Sequence, residues 1–255
     1  MSDFQGKVVV ITGGAGEIGK AAAKLLAGDG AEVLLVDRDA RALDAAVAEI
    51  GSKRVTLCVA DVADVASTQA YIRAAVDRFG GIDVLLSNAG IEGKVAPIFD
   101  ADPADFDRVI AVNVRGVWLS LKYAIPEMRK RGGGSIVISS SIAGLRGTAG
   151  VTPYVTSKHA VVGLMRAAAL ECAPLGIRIN TVNPSPVETR MMRSLEEGLM
   201  PGKAEEVHAM LKGMIPMQRY AEADDVAKLM RFLASDDAAF VTGSVHSVDG
   251  GLNAG

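Results

Sequence analysis

Cysteine and histidine are scarce in this chain of 255 residues. It has two cysteines, Cys58 and Cys172, and three scattered histidines, His159, His208 and His246. Two thiols cannot build a disulfide framework and suit a reducing compartment. With no C-x-x-C pair and so few histidines, neither a structural nor a catalytic zinc site is expected. A strong charge of either sign is also missing. Lys and Arg number 27 against 30 Asp and Glu, a net charge of −3, so no basic surface for nucleic acid or an anionic membrane is expected. Apolar runs such as Val8-Val9-Val10-Ile11 fall far short of the roughly 20 residues that cross a bilayer. The opening residues Met1-Ser2-Asp3-Phe4-Gln5-Gly6-Lys7 lack the basic-then-apolar pattern of a secretion signal. A cytoplasmic chain is expected.

What is abundant is glycine, 28 residues, about 11% where about 7% is usual. The glycines have no period, which excludes collagen and solenoid repeats. They cluster at the ends of apolar runs, where tight turns and close backbone approach need them. Lys7–Thr12 is a continuous β-branched run, the pattern of a strand buried on both faces of a parallel sheet. Further strands are predicted at Val33–Val36, Val55–Val59, Ile82–Leu86, Ile136–Ser139, Arg178–Val182 and Val245–Val248. Helices are predicted at Ala21–Ala27, Arg41–Ile50, 64–79, from Asp102 as N-cap towards a kink or stop at Pro126, at 154–173 and at 223–234. This alternation predicts an α/β fold, a doubly wound parallel sheet with helices on both faces, in one domain over residues 1–255. Residues 188–219 read as an insertion-like segment of weaker periodicity that holds six of the ten methionines, as lids often do.

Between the first strand and first helix lies Thr12-Gly13-Gly14-Ala15-Gly16-Glu17-Ile18-Gly19. Gly14-x-Gly16-x-x-Gly19 in a strand–turn–helix context is a dinucleotide fingerprint: bare backbone approaches the pyrophosphate and the helix N-terminus faces it. Asp37 ends the second strand, where a carboxylate accepts the adenosine ribose hydroxyls and repels a 2′-phosphate. NAD is therefore expected over NADP, although Arg38 beside it suits that phosphate. Asp61 is either an adenine contact or a turn residue. Asn88-Ala89-Gly90 either packs on the cofactor or simply turns the chain.

Tyr154 and Lys158 lie four residues apart and share one face of a predicted helix. A lysine ammonium near a phenol lowers its pKa, which suits a general acid/base for a carbonyl oxygen. Ser141 precedes the tyrosine by thirteen residues. Asn113 sits in a predicted helix, where it costs roughly 0.6 kcal/mol relative to Ala, and so invites another reason for being there.

Taken with Asn183-Pro184 and Asp249-Gly250-Gly251, these stretches resemble the short-chain dehydrogenase/reductase family, in its compact single-domain branch, over essentially the whole chain. The resemblance implies a three-layer Rossmann fold and hydride transfer between nicotinamide C4 and a substrate carbon. It assigns catalysis to Asn113, Ser141, Tyr154 and Lys158. Tyr154 moves the proton, Lys158 depresses the tyrosine pKa and binds the nicotinamide ribose, Ser141 bonds the substrate oxygen, and Asn113 holds a water linking Lys158 to solvent. The same resemblance assigns cofactor contacts to Gly13, Gly16, Glu17, Ile18, Gly19, Asp37, Arg38, Asp61, Val62, Asn88, Ala89, Gly90, Tyr154, Lys158, Pro184, Val187 and Thr189. Substrate contacts fall to Ser141, Ile142, Tyr154, Ser185, Met191 and Met192. Of the serine run, Ser141 is selected by spacing and Ser140 is expected to face away.

Two positions depart from the family. Glu17 stands where glycine is usual, and its side chain is expected to point to solvent. Ser185 replaces the glycine of Asn-Pro-Gly. The residues 190–217, rich in Met and Leu, read either as a lid over an apolar pocket or as ordinary helix packing. Glu92, Val95, Leu145 and Arg146 are expected near that pocket, with Arg146 offering recognition of an acidic group instead. An uncharged secondary alcohol or ketone is the expected substrate. Arg129-Lys130-Arg131 suits either an acyl carrier protein, as for an NADPH-linked 3-oxoacyl reductase, or a helix C-terminal dipole. A catalytically silent nucleotide sensor is the alternative of another class. The resemblance further implies a homotetramer, for which Val112, Trp118, Val161 and Leu164 offer apolar surface on the two long helices.

Overall fold

The computed structural model describes residues 4–254. Seven strands form one parallel sheet: β1 (Val8–Thr12), β2 (Glu32–Asp37), β3 (Val55–Val59), β4 (Val84–Ser87), β5 (Gly134–Ser139), β6 (Ile177–Pro184) and β7 (Val245–Val248). Their spatial order is β3-β2-β1-β4-β5-β6-β7. The chain builds outward in one direction to β3, then crosses back beside β1 and builds the other way. Loops from β1 and β4 consequently diverge at the strands' C-terminal edge, which opens a crevice there.

The helices are α1 (Glu17–Gly28), α2 (Ala40–Ile50), α3 (Val65–Phe79), α4 (Pro103–Ile110), α5 (Gly116–Lys130), α6 (Thr152–Cys172), α7 (Arg190–Leu199), α8 (Ala204–Met214) and α9 (Ala223–Ala234). All five residues of β1 are buried, because alternate residues serve two cores. Val9 and Ile11 meet α1 and α9, while Val10 meets the layer of α3, α5 and α6.

Three expectations need correction. The predicted helix from Asp102 is interrupted: a π turn at Ala111–Arg115 separates α4 from α5, and Asn113 stands in its middle. Pro126 neither stops nor ends the helix, which continues to Lys130. Pro126 and the residue one turn before it, Lys122, are both exposed, so the helix runs through the proline at a position open to solvent. The segment 188–219 is not weakly patterned; it folds into α7 and α8. Met200, Met210, Met214 and Met217 are exposed there rather than packed. No described helix is long and apolar enough to cross a membrane.

Candidate active site

The crevice is stapled by hydrogen bonds between neighbouring strand ends. Thr12 Oγ1 accepts the backbone N–H groups of Asn88 (3.0 Å) and Ala89 (3.2 Å). Asn88 Nδ2 donates to the Gly13 carbonyl at 3.3 Å, and Ser139 Oγ donates to Asn88 Oδ1 at 2.9 Å. One asparagine therefore ties the end of β5 to the glycine turn.

That turn requires its glycines. Gly13 has φ +64°, and a Cβ there would lie 2.9 Å from the Ala89 Cα. A Cβ on Gly19 would lie 2.4 Å from the Gly13 carbonyl oxygen. Gly16 precedes α1, whose N-terminus has no side-chain cap, so its first N–H groups remain available to an anion. Asp37 lies across the turn: its Oδ2 accepts from Ala15 N–H at 3.3 Å and its Oδ1 from Arg38 N–H at 2.8 Å. A small pocket is lined by Gly13, Asp37, Arg38, Asp61, Val62 and Gly90, among others. Val112 also lines it, and Val161 is buried in the core. Val161 therefore offers no surface, whereas Val112 is half-buried and Trp118 is exposed. An uncapped helix end, a bare-backbone turn and a strand-end carboxylate fit a dinucleotide.

Along the crevice stand the reactive groups. Ser141 follows β5, and its Oγ accepts Ala143 N–H at 3.1 Å. The Ser141 hydroxyl stands close enough to the Tyr154 phenol to draw its pKa down. Lys158, one turn further along α6, is buried, and its Nζ lies 5.3 Å from the Tyr154 ring centroid. It donates to the Ser139 carbonyl at 2.8 Å. Asn113 uses its whole side chain: Oδ1 accepts Ile91 N–H (2.8 Å), and Nδ2 donates to the Ile91 carbonyl (2.9 Å) and Ser157 Oγ (3.0 Å). Ser157 in turn donates to the Tyr154 carbonyl at 2.7 Å. Ser140 faces away, donating to the Lys158 carbonyl at 3.0 Å.

The expected depression of the tyrosine pKa is absent from this arrangement. Burial pushes Tyr154 up to about 12; the nearby Ser141 hydroxyl draws it back, and the Glu92 carboxylate raises it. Burial lowers Lys158 to about 8. The ammonium is committed to a backbone carbonyl, and desolvation disfavours the charged form of both groups.

Asn183 Nδ2 donates to the Ser141 carbonyl at 2.8 Å, and Pro184, Ser185 and Val187 are buried beyond it. Val187 pairs with Ala221, and Thr189 caps α7 through Met192 N–H. Met191 and Met192 are half-buried on the first turn of α7, and Ile142 is buried behind Ser141. Val95 meets the same helix: a Cβ on Gly198 would lie 2.7 Å from its Cγ2. Arg146 donates to the Leu252 carbonyl at 3.4 Å. Glu17 is half-buried, and its carboxylate, still open to solvent, also reaches α7. Its Oε1 accepts Arg190 N–H at 3.2 Å, because the start of α7 offers an unbonded donor within reach. Sequence reasoning missed Ser139, Ser157 and Ile91. Two of these act through backbone groups, and no residue type signals that role.

A larger opening lies at the opposite edge of the sheet. Two of its cations are already held: Arg131 by Asp83, and Arg178 by the Leu233 and Ser235 carbonyls.

A short-chain dehydrogenase family model, described as enoyl-(acyl carrier protein) reductase, matches residues 13–253. The chain belongs to the short-chain dehydrogenase/reductase family. Among short-chain relatives, it is 39% identical to levodione reductase from Leifsonia aquatica, over 98% of this chain and 96% of that protein. It is 39% identical to cyclohexanol dehydrogenase from Acinetobacter sp. (strain SE19), over 97% and 95%. The crystal structure of levodione reductase superposes with a TM-score of 0.96, covering 98% of this chain and 99% of that one. That of NAD+-bound xylitol dehydrogenase gives 0.91 at 33% identity, covering 97% and 99%.

Proposed function

We propose that this chain interconverts an uncharged secondary alcohol and its ketone by hydride transfer with NAD(H), the carbinol carbon lying in a six-membered ring. One observation carries the reading: Ser141 stands beside the Tyr154 phenol, whose ring centroid lies 5.3 Å from the buried Lys158 ammonium nitrogen. The ring substrate is supported by the two relatives named for levodione and cyclohexanol. NAD is supported by Asp37 at the end of β2 and by the NAD+-bound neighbour.

When bound, the nicotinamide supplies a hydride acceptor or donor. Tyr154 gives its proton to the ketone oxygen, or takes it from the hydroxyl in oxidation. With a pKa of about 12 the phenol carries that proton at neutral pH, so the free enzyme is poised for reduction. Ser141 orients the substrate oxygen, Lys158 meets the nicotinamide ribose hydroxyls, and Asn113 fixes Ile91 and Ser157 around them. Glycines 13, 16 and 19 cradle the diphosphate, and Thr189 and Val187 close its other side. Double-bond reduction fits less well, since enoyl reductases of this family use a wider Tyr-to-Lys spacing. Service to an acyl carrier protein loses support, because Lys130 is paired with Glu127 and Arg131 with Asp83. A cytoplasmic homotetramer belongs to the same proposal, with Trp118 among its contacts, and sedimentation velocity tests the assembly.

The test is NADH formation with cyclohexanols, aryl secondary alcohols and other secondary alcohols, alongside reduction of an acetoacetyl thioester. Turnover of ring alcohols is expected, falling about 10²–10⁴-fold in Tyr154→Phe while NADH still binds. No turnover of any secondary alcohol, or full activity in Tyr154→Phe, refutes the reading.

A further inference from the structure

The chain leaves β6 at Pro184 and is pinned to Ala221 through Val187 and through Glu188 N–H at 2.9 Å. It then enters α7 through Thr189, which is extended at φ −143° and ψ 158°. The Thr189 hydroxyl takes Met192 N–H, one of the donors that open the helix. Arg190 N–H, another of these, is taken by a residue 173 positions earlier, Glu17 Oε1 at 3.2 Å. Glu17 is itself the first residue of α1. A single carboxylate thus stands at two helix N-termini, and each helix dipole favours an anion there.

The rest of the segment behaves as one packed unit. Glu196 on α7 is buried and accepts from Tyr220 Oη (2.8 Å) and Arg193 (3.0 Å), and its Oε1 lies 3.0 Å from His208 Nδ1. Arg193 also reaches Glu188 at 2.7 Å. This network joins α7, α8 and the Tyr220 loop to the stem after β6. Movement at the start of α7 is then carried by the whole segment.

We propose that Glu17 is a positioning residue that fastens the start of α7 to the glycine turn and so governs how quickly the coenzyme leaves the crevice. This rests on the dinucleotide reading above, since the diphosphate would lie at the glycine turn beside the start of α1. The tie holds the segment over that turn while the coenzyme is in place, and release requires it to break.

Two measurements on the full-length enzyme test the proposal. Hydrogen exchange on the free protein is expected to speed up in the peptide covering 188–199 in Glu17→Ala. Stopped-flow fluorescence is expected to show NADH dissociating about fivefold faster, the loss of one modest hydrogen bond. The KM for coenzyme should rise by a larger factor than kcat changes. Glu17→Gln, which keeps an acceptor oxygen, should restore most of both effects. Unchanged exchange in 188–199, unchanged NADH dissociation, or a Glu17→Gln variant as fast as Glu17→Ala overturns the inference. Wild-type enzyme that fails to bind NADH overturns the coenzyme reading instead, and the exchange measurement still decides whether Glu17 holds α7.

Discussion

Replacing Lys158 with methionine should make the protein more stable while it loses activity. The ammonium is buried, and burial brings its pKa from 10.5 to about 8. A displacement of that size corresponds to about 3 kcal/mol by which the folded state disfavours the charge at neutral pH. Methionine keeps most of the aliphatic stem and removes the charge. It also removes the donor to the Ser139 carbonyl, a loss of about 1 kcal/mol. The net expectation is a gain of about 2 kcal/mol at pH 7, read from urea midpoints at constant m. The pH dependence has a definite sign. The unfolded chain keeps this proton up to about pH 10.5, while the folded chain gives it up at about 8. Wild-type stability attributable to Lys158 is therefore flat below pH 8 and rises between 8 and 10.5. Burial raises Tyr154, Cys58 and Cys172, which titrate in the alkaline range with the opposite sign. The quantity to follow is thus the difference between variant and wild type, and the advantage of Lys158→Met should shrink by about 2 kcal/mol between pH 8 and 9.5. A variant less stable than wild type at pH 7, or a difference independent of pH, refutes the reasoning.

Ser141→Ala should lower kcat/KM for ring alcohols by about tenfold or more, whereas Ser140→Ala should cost about 1 kcal/mol of stability through its bond to the Lys158 carbonyl; the reverse pattern in kinetics would show the wrong serine has been chosen. Asp37→Ala should move the ratio of kcat/KM for NADPH over NADH upward by at least tenfold, with Arg38 free to meet a 2′-phosphate, and a wild type that already prefers NADPH would contradict the role given to Asp37. Glu196→Ala removes the acceptor of Tyr220 Oη and a partner of His208 and should destabilise the protein by about 2 kcal/mol, with the increase in hydrogen exchange concentrated in 188–220 rather than spread through the sheet.

Elements buried on both faces were readable in advance. The run Val8-Val9-Val10-Ile11 names its own strand, since a two-sided core tolerates no polar alternation, and Asp102 caps α4 as its side chain suggests. Elements that depend on partners were not. In 188–219, α7 and α8 bury few apolar side chains and are held largely by the polar contacts of Glu196, which apolar periodicity does not reveal. Pro126 passes through a helix because its neighbourhood is solvated.

The succession of strands, the glycine turn and the spacing of Ser141, Tyr154 and Lys158 were legible in the sequence, because local propensity, turn chemistry and spacing need only near neighbours along the chain. Tertiary structure alone decided how those groups are charged and tied together. Burial sets Tyr154 and Lys158 at about 12 and 8, Asn113 spends its side chain on Ile91 and Ser157, and Glu17 reaches Arg190 across 173 residues. Desolvation and long-range hydrogen bonds arise from what the fold packs around a side chain, and no local pattern of residues encodes them.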